Sequence, residues 1–150
     1  MGEVIGTLGQ FLPPELAQAA LRPFTKCARF YDAMDHILYL EEDVAYRADR
    51  VDPFLTLLWH PHYERAVGVK LKGFRFLFER LNEILRARGV GISDEGFPSL
   101  VLALEVAMTA GGGAALMAGA QRDRLNERYR VARELVRTVR FDPSELSQAA

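Results

Sequence analysis

Two histidines lie two positions apart in the segment His60-Pro61-His62. Imidazole is the most common transition-metal ligand, and residues two positions apart share one face of a strand. A metal site needs a third or fourth ligand, and the sequence does not identify one for this pair. The same pattern is typical of a solvent-facing hairpin turn with Trp59 and Tyr63 packed at its base. We prefer the turn, and expect no metal and no other cofactor, with His60 and His62 as the metal candidates to examine.

Carboxylates form a second group, in which Asp32 and Asp35 are followed by the acidic run Glu41–Asp43. Paired carboxylates can perform acid–base catalysis or bind Mg²⁺ when they converge in a cleft. Acidic residues in hairpin turns usually diverge into water, and we interpret these residues in that way. The sequence contains none of the common hydrolase or zinc motifs. No catalytic residue is therefore assigned, and the sequence favours a protein that is not an enzyme.

Arginines are concentrated near the C-terminus, where the segment Gln121–Arg140 contains seven arginines and three acidic residues. A helix lined with arginine can follow nucleic-acid phosphates. Here acidic residues alternate with the arginines at pair-forming distances, which is typical of a solvated or inter-subunit face. The formal net charge of the whole chain is −1, which also argues against a general nucleic-acid coat. Nucleic acid is thus an alternative and not the expected partner.

The elements that must position these residues indicate an α+β fold in a single domain, residues 1–150. An antiparallel β-meander is predicted for residues 26–74, because short segments rich in aromatic and β-branched residues are separated by turn residues. The amphipathic helix 75–88 is expected to pack its apolar face on the meander. A helical hairpin follows at 93–140, with an N-terminal arm at 1–24 and a tail at 141–150. The strands of the meander are predicted at 30–31, 36–40, 44–50, 54–59 and 66–72.

One part of the meander resembles a small bacterial family of unknown function. The opening Tyr31-Asp32-Ala33-Met34-Asp35-His36-Ile37-Leu38-Tyr39 has that family's Tyr-Asp, its spaced second Asp and its Leu-Tyr strand. The acidic stretch, the strand Phe54–Trp59 and the closing Ala66-Val67-Gly68-Val69 follow in the family's order. The resemblance covers residues 28–72 and implies a β-meander fold and regulatory contexts such as toxin–antitoxin systems. It brings no catalytic residue, and Pro53 and the His60-Pro61-His62 turn depart from the pattern.

The segment Phe97–Ala120 carries a single charge, Glu105, in 24 residues. Its length would suffice to cross a bilayer, but the charge and the run Gly111–Gly113 disfavour a spanning helix. A helix that is apolar on all sides must be surrounded, and we expect it to pack in the core and against a second copy of the chain. The candidate interface residues are Leu100, Leu104, Met108, Leu116 and Arg128.

The leading functional hypothesis is a non-enzymatic interaction or regulatory protein that self-associates through its C-terminal helices, with another protein as a second candidate partner. The alternative is a small ligand-binding protein or enzyme with a pocket between the sheet and the helices, with candidate residues Asp35, Tyr39, Trp59 and Phe78. A second alternative is nucleic-acid binding through residues 121–140. Met1–Gln10 does not resemble a signal peptide, and Cys27 is the only cysteine. These features predict a cytoplasmic protein in which Cys27 is a buried, small apolar residue, and the resemblance of residues 28–72 implies a bacterial one.

Overall fold

The structure, a computed structural model, describes residues 24–93, 97–110 and 119–149. The predicted arm at 1–24, the run Gly111–Gly113 and the interface candidate Leu116 therefore lie wholly or almost wholly outside the described residues. The described strands and helices are β1 (Lys26–Cys27), β2 (Arg29–Tyr31), β3 (His36–Leu40), β4 (Arg47–Arg50), β5 (Leu55–Trp59), β6 (Ala66–Lys72), α1 (Phe74–Arg86), α2 (Leu100–Ala110), α3 (Gly119–Leu135), β7 (Val139–Arg140) and α4 (Pro143–Ala149).

The main sheet confirms the predicted α+β fold with an antiparallel meander. Strands β4, β5 and β6 are consecutive antiparallel neighbours, and the hairpin β2–β3 joins the sheet along β6, so that the order is β2-β3-β6-β5-β4. The link 41–46 must therefore pass across two strands to reach the far edge. That far edge is β4, whose charged sequence protects an otherwise open strand from pairing with another chain.

One face of the sheet forms the core with the helices. Side chains on this inner face come from alternate positions of three strands: Ile37, Tyr39, Leu55, Leu57, Val69 and Leu71. Helix α1 buries an apolar stripe against them, since Phe74, Leu77 and Leu81 are fully buried. The predicted packing of this helix is thus observed, and the helix ends where the positive φ of Gly89 terminates it.

Helix α2 lies inside the molecule, as its composition predicts. Seven of its eleven residues are buried, and it packs on α1 and α3. Its one charged side chain, Glu105, lies opposite Arg133 of α3, with a guanidinium nitrogen 3.8 Å from a carboxylate oxygen. The single charge of the apolar stretch is therefore paired within the chain, although this carboxylate oxygen is buried without a hydrogen bond from any described residue. No helix among the described residues is long and apolar enough to cross a membrane.

Two features near the termini of the described chain differ from expectation. Strands β1 and β7 form a two-stranded parallel sheet that the sequence did not predict, because strands of two residues carry no detectable periodicity. Cys27 is exposed in β1, so the prediction of a buried cysteine is wrong. Asp142 caps the start of α4, because its carboxylate accepts the amide hydrogen of Ser144 at 3.0 Å.

The C-terminal helix α4 docks on its own chain. Leu146 is buried in the core, and the carboxylate of Glu145 accepts the backbone N–H of Phe30 at 3.2 Å. A helix of this length would not be stable alone, so these contacts hold it in place.

Candidate functional site

A cleft lies between the sheet and the C-terminal half of α3, with a cavity volume of about 560 Å³. Tyr39 and Ala66 contribute to it from the sheet, and α3 contributes Arg130, Val131 and Leu135. The remaining lining residues are Thr25, Lys26, Glu41, Glu134, Arg137 and Thr138. We call it the Tyr39 cleft. Its volume lies within the range of small-molecule sites, which is about 300–1,000 Å³.

Tyr39 is positioned by its packing in the core. Its place on the inner face of β3 buries the residue, which is 5% exposed. Burial and, secondarily, the negative charge of Glu41 raise the pKa of the Tyr39 hydroxyl, so this hydroxyl remains protonated at neutral pH. Within the described part of the chain, no group hydrogen-bonds to that hydroxyl. Tyr39 therefore brings an unused donor to a charged cleft.

The charges of the Tyr39 cleft are partly paired. Arg130 forms a two-pronged pair with Glu127 at 2.6 and 2.9 Å, and Arg137 binds Glu134 at 2.7 Å. Lys26 has no ion pair with any described residue, and the same holds for Glu41. Among the described residues that line the cleft, the exposed side chains of Lys26 and Glu41 are thus the unpaired charges.

The other predicted pocket residues do not join Tyr39. Phe78 lies in a separate groove of about 740 Å³ between α1 and α4. Trp59 is half-buried at the end of β5 and packs against the core. The expectation of one pocket containing both residues together with Tyr39 is not met, because β6 separates the strand of Trp59 from that of Tyr39, and Phe78 faces α4 from α1.

Asp35 lies at the opposite end of the sheet and has a structural role. It adopts φ of 49°, and one of its carboxylate oxygens accepts the amide hydrogen of Arg75 at 3.0 Å, which caps the start of α1. Asp32 forms an ion pair with the side chain of Arg75. The two aspartates therefore stabilise a turn and a helix start, in agreement with our interpretation, and do not converge on a cleft.

His60 and His62 are engaged with each other and with Tyr63 in the turn after β5. His60 is 9% exposed, and its Nδ1 accepts the backbone N–H of His62 at 3.1 Å, so one ligating nitrogen is occupied in the turn. The ring of Tyr63 lies 4.6 Å from that of His60. Within residues 24–93, 97–110 and 119–149, no three His, Cys, Asp or Glu side chains come together to hold a metal ion.

The candidate interface residues lie mostly inside the chain. Leu100 and Leu104 have 0% exposure in the core, so they present no surface to a second copy. Met108 is half-buried, and Arg128 forms an ion pair of 3.0 Å with Asp49 of β4. The assignment of Leu100 and Leu104 to a subunit interface is corrected accordingly: both are fully buried in a helix that packs on α1, α3 and β7 of the same chain.

The arginine-rich segment is neutralised to a large extent. Four of its seven arginines form ion pairs with carboxylates: Arg128, Arg130, Arg133 and Arg137. Paired guanidinium groups have little free charge to offer to phosphates. This favours the solvated-face interpretation over nucleic-acid binding.

An exposed apolar surface lies at the end of the sheet where β2 turns into β3. Met34 in that turn is 71% exposed, and Phe76 in the first turn of α1 is 52% exposed. Phe54 stacks on Phe76 with ring centres 5.9 Å apart and an interplanar angle of 11°. We call these three residues the apolar end. Met34 and Phe76 are the chain neighbours of Asp35 and Arg75, whose hydrogen bond joins this turn to the start of α1.

Sequence reasoning missed the apolar end. Phe76 lies outside the apolar stripe of its helix, and an aromatic residue on a polar helix face is the signal that would have revealed it. Met34 gave no comparable signal, because a single apolar residue in a turn is common.

Comparison of the chain with protein-family models, with curated proteins and with solved structures gave no match. The resemblance of residues 28–72 to a β-meander family therefore stays a prediction. The Tyr39 cleft and the apolar end are the two surfaces of this chain that bear on its function.

Proposed function

We propose that this chain is a non-enzymatic interaction protein that self-associates, and that two copies meet through the apolar end. The observation that carries the proposal is the exposure of Met34 and Phe76, at 71% and 52%. Large exposed apolar side chains that lie together mark interaction sites more often than isolated ones do. Self-association stays the leading hypothesis, but its surface moves from the C-terminal helices to the end of the sheet.

A second copy of the same chain suits this surface for two reasons. The net charge of −1 gives two copies almost no long-range repulsion. A two-fold interface must be self-complementary, and the stacked pair Phe54–Phe76, with Met34 in the turn at the same end of the sheet, offers apolar side chains that can pack against a second copy. Full burial of one such side chain contributes about 1.5–3 kcal/mol, so these residues would act as anchors within a larger contact.

The structural roles of the carboxylates support a binding protein over an enzyme. Asp35 caps a helix and is engaged there, while Asp52 accepts the N–H groups of Phe54 and Leu55 at 2.9 and 2.7 Å. These carboxylates therefore stabilise local structure through their hydrogen bonds. Acid–base catalysis would need them free and facing a substrate.

The test is light scattering coupled to size exclusion, carried out over a range of protein concentrations. We expect a dimer that dissociates on dilution, and expect Phe76→Ser and Met34→Gln to shift it toward monomer. Tyr63→Ser is the matched control, because Tyr63 is 61% exposed at the opposite end of the sheet. Circular dichroism would verify that each variant is folded. A monomer at the highest concentration, or a dimer equally sensitive to the control, would overturn the proposal.

A further inference from the structure

Met34 is the more exposed of the two methionines among the described residues. It is 71% exposed in the turn between β2 and β3, whereas Met108 is half-buried and packs against the core. A guanidinium nitrogen of Arg133 also contacts the Met108 sulfur, at 3.7 Å. Of these two thioethers, that of Met34 is therefore the one that a reactant in water reaches readily.

The thioether of Met34 belongs to the apolar end, where its chemistry bears on association. Oxidation places an oxygen on the sulfur and turns a flexible apolar side chain into a polar one. Phe54 and Phe76, the other side chains of this surface, are hydrocarbons and offer no hydrogen-bond donor to that oxygen. A polar group that is buried without a hydrogen bond costs free energy, so the oxidised surface is a poor one for association.

We propose that Met34 is a site of reversible oxidation that controls self-association, an inference that rests on the proposed dimer through the apolar end. Hydrogen peroxide transfers one oxygen atom to the Met34 sulfur as its O–O bond breaks; the sulfur is oxidised by two electrons and the peroxide leaves as water. The sulfoxide releases the second copy. A methionine sulfoxide reductase then removes the oxygen as water, while a dithiol supplies the two electrons and becomes a disulfide.

Oxidation acts on the monomer, because the proposed contact covers Met34 in the dimer. The rate of Met34 oxidation should therefore fall as the protein concentration rises, in proportion to the fraction of protein that remains monomeric. The rate at Met108 should not depend on concentration, since this side chain packs within its own chain. Phe76→Ser, which weakens the dimer, should make the rate at Met34 independent of concentration as well.

The experiment treats the protein with dilute hydrogen peroxide and follows each methionine by peptide mass spectrometry. Cys27→Ser is the background for every sample, because the exposed thiol of Cys27 would also react with peroxide. Light scattering coupled to size exclusion, over a concentration series, gives the dissociation constant of the dimer before and after treatment. We expect oxidation of Met34 to raise this constant about 10- to 100-fold, which is the range for losing one buried methionine side chain from an interface. Treatment with the reductase should restore the original value.

Met34→Leu is the matched variant, because leucine is apolar and has no sulfur to oxidise. Peroxide should leave the dissociation constant of this variant at the value that the variant has before treatment. A dimer that persists with Met34 fully oxidised, equal dissociation of treated Met34→Leu, or no recovery after reduction would overturn the inference. Each of these results leaves self-association intact, since the untreated protein still dimerises. A protein that is monomeric before treatment would overturn the proposed function and this inference together.

Discussion

The contact between Tyr129 of α3 and the turn before β5 should contribute measurably to stability. The Tyr129 hydroxyl donates to the carboxylate of Asp52 at 2.6 Å, and Tyr129 has 0% exposure. The other oxygen of Asp52 accepts the amide hydrogens of Phe54 and Leu55, which fixes the carboxylate in the turn. The hydroxyl therefore ties the helix to the sheet through a charged, immobilised acceptor.

Tyr129→Phe removes only that hydroxyl and retains the buried ring. A hydrogen bond to a charged group contributes about 1.5–3 kcal/mol. Because Asp52 is only half-buried, water can partly replace the lost donor, and we expect a loss of roughly 1.5–2 kcal/mol. In urea unfolding followed by circular dichroism, this corresponds to a midpoint lower by roughly 1 M with an unchanged slope.

The same hydroxyl predicts a dependence on alkaline pH. Burial first, and then the hydrogen bond and charge of Asp52, raise the pKa of Tyr129 far above its ordinary value of 10.0. Below pH ~10 the Tyr129 hydroxyl is protonated in the folded and in the unfolded protein, so its full contribution to stability is present. Above pH ~10 this hydroxyl ionises only in the unfolded protein, and the free energy of unfolding falls by about 1.4 kcal/mol per pH unit. The difference in the free energy of unfolding between the wild type and Tyr129→Phe should therefore be smaller by about 1.4 kcal/mol at pH ~11 than at neutral pH. The raised pKa of Tyr39 is common to both proteins and cancels in this difference.

The control for this prediction is Tyr63→Phe. Tyr63 is 61% exposed, and none of the described residues hydrogen-bonds to its hydroxyl, so we expect a change within about 0.5 kcal/mol. The reasoning is refuted if Tyr129→Phe loses no more stability than the control. It is also refuted if the difference between wild type and Tyr129→Phe stays constant from neutral to strongly alkaline pH.

Three further substitutions test other parts of the fold. Asp35→Ala removes the cap that accepts the N–H of Arg75, and should cost about 1–2 kcal/mol in urea unfolding, whereas Asp35→Asn should retain most of the stability. Gly68→Ala places a methyl group 2.6 Å from the backbone oxygen of Tyr39. Overpacking of this kind should lower the free energy of unfolding by about 1–3 kcal/mol or more, which calorimetry would detect as a lower thermal midpoint. Leu104→Ala leaves a cavity in the core and should lower the free energy of unfolding by about 2–5 kcal/mol. Light scattering should show an unchanged oligomeric state. If the variant instead dissociates and its monomer is as stable as before, Leu104 belongs to an interface.

Local patterns predicted the elements of this fold well. The strands His36–Leu40 and Ala66–Lys72 were predicted with the bounds that the structure shows, and α1 differs from its prediction by one or two residues at each end. In these elements apolar residues recur with a clear strand or helix period, over enough residues for that period to be recognised. The strand β4 was predicted too long, because Val44–Tyr46 has strand-like residues but belongs to the link that crosses the sheet.

The candidate site was predicted only in part. Tyr39 does line a cleft between sheet and helix, as one hypothesis required, but Trp59 and Phe78 lie elsewhere. A shared pocket depends on which elements become neighbours, and the sequence does not encode that order locally. The same reason explains why Leu100 and Leu104 were assigned to an interface: their apolar character requires burial but does not say by what.

The sequence by itself determined the local structure of this protein, including the apolar stripe of α1, the burial of α2 and the capped start at Asp142. Each of these follows from residue types within one or two turns of chain, where spacing alone specifies the geometry. Only the tertiary structure decided which distant groups meet. Tyr129 reaches Asp52 across 77 positions, and Glu105 meets Arg133 on the neighbouring helix. Such pairings depend on the strand order and on helix packing, in which many side chains act together, and no local spacing contains that information.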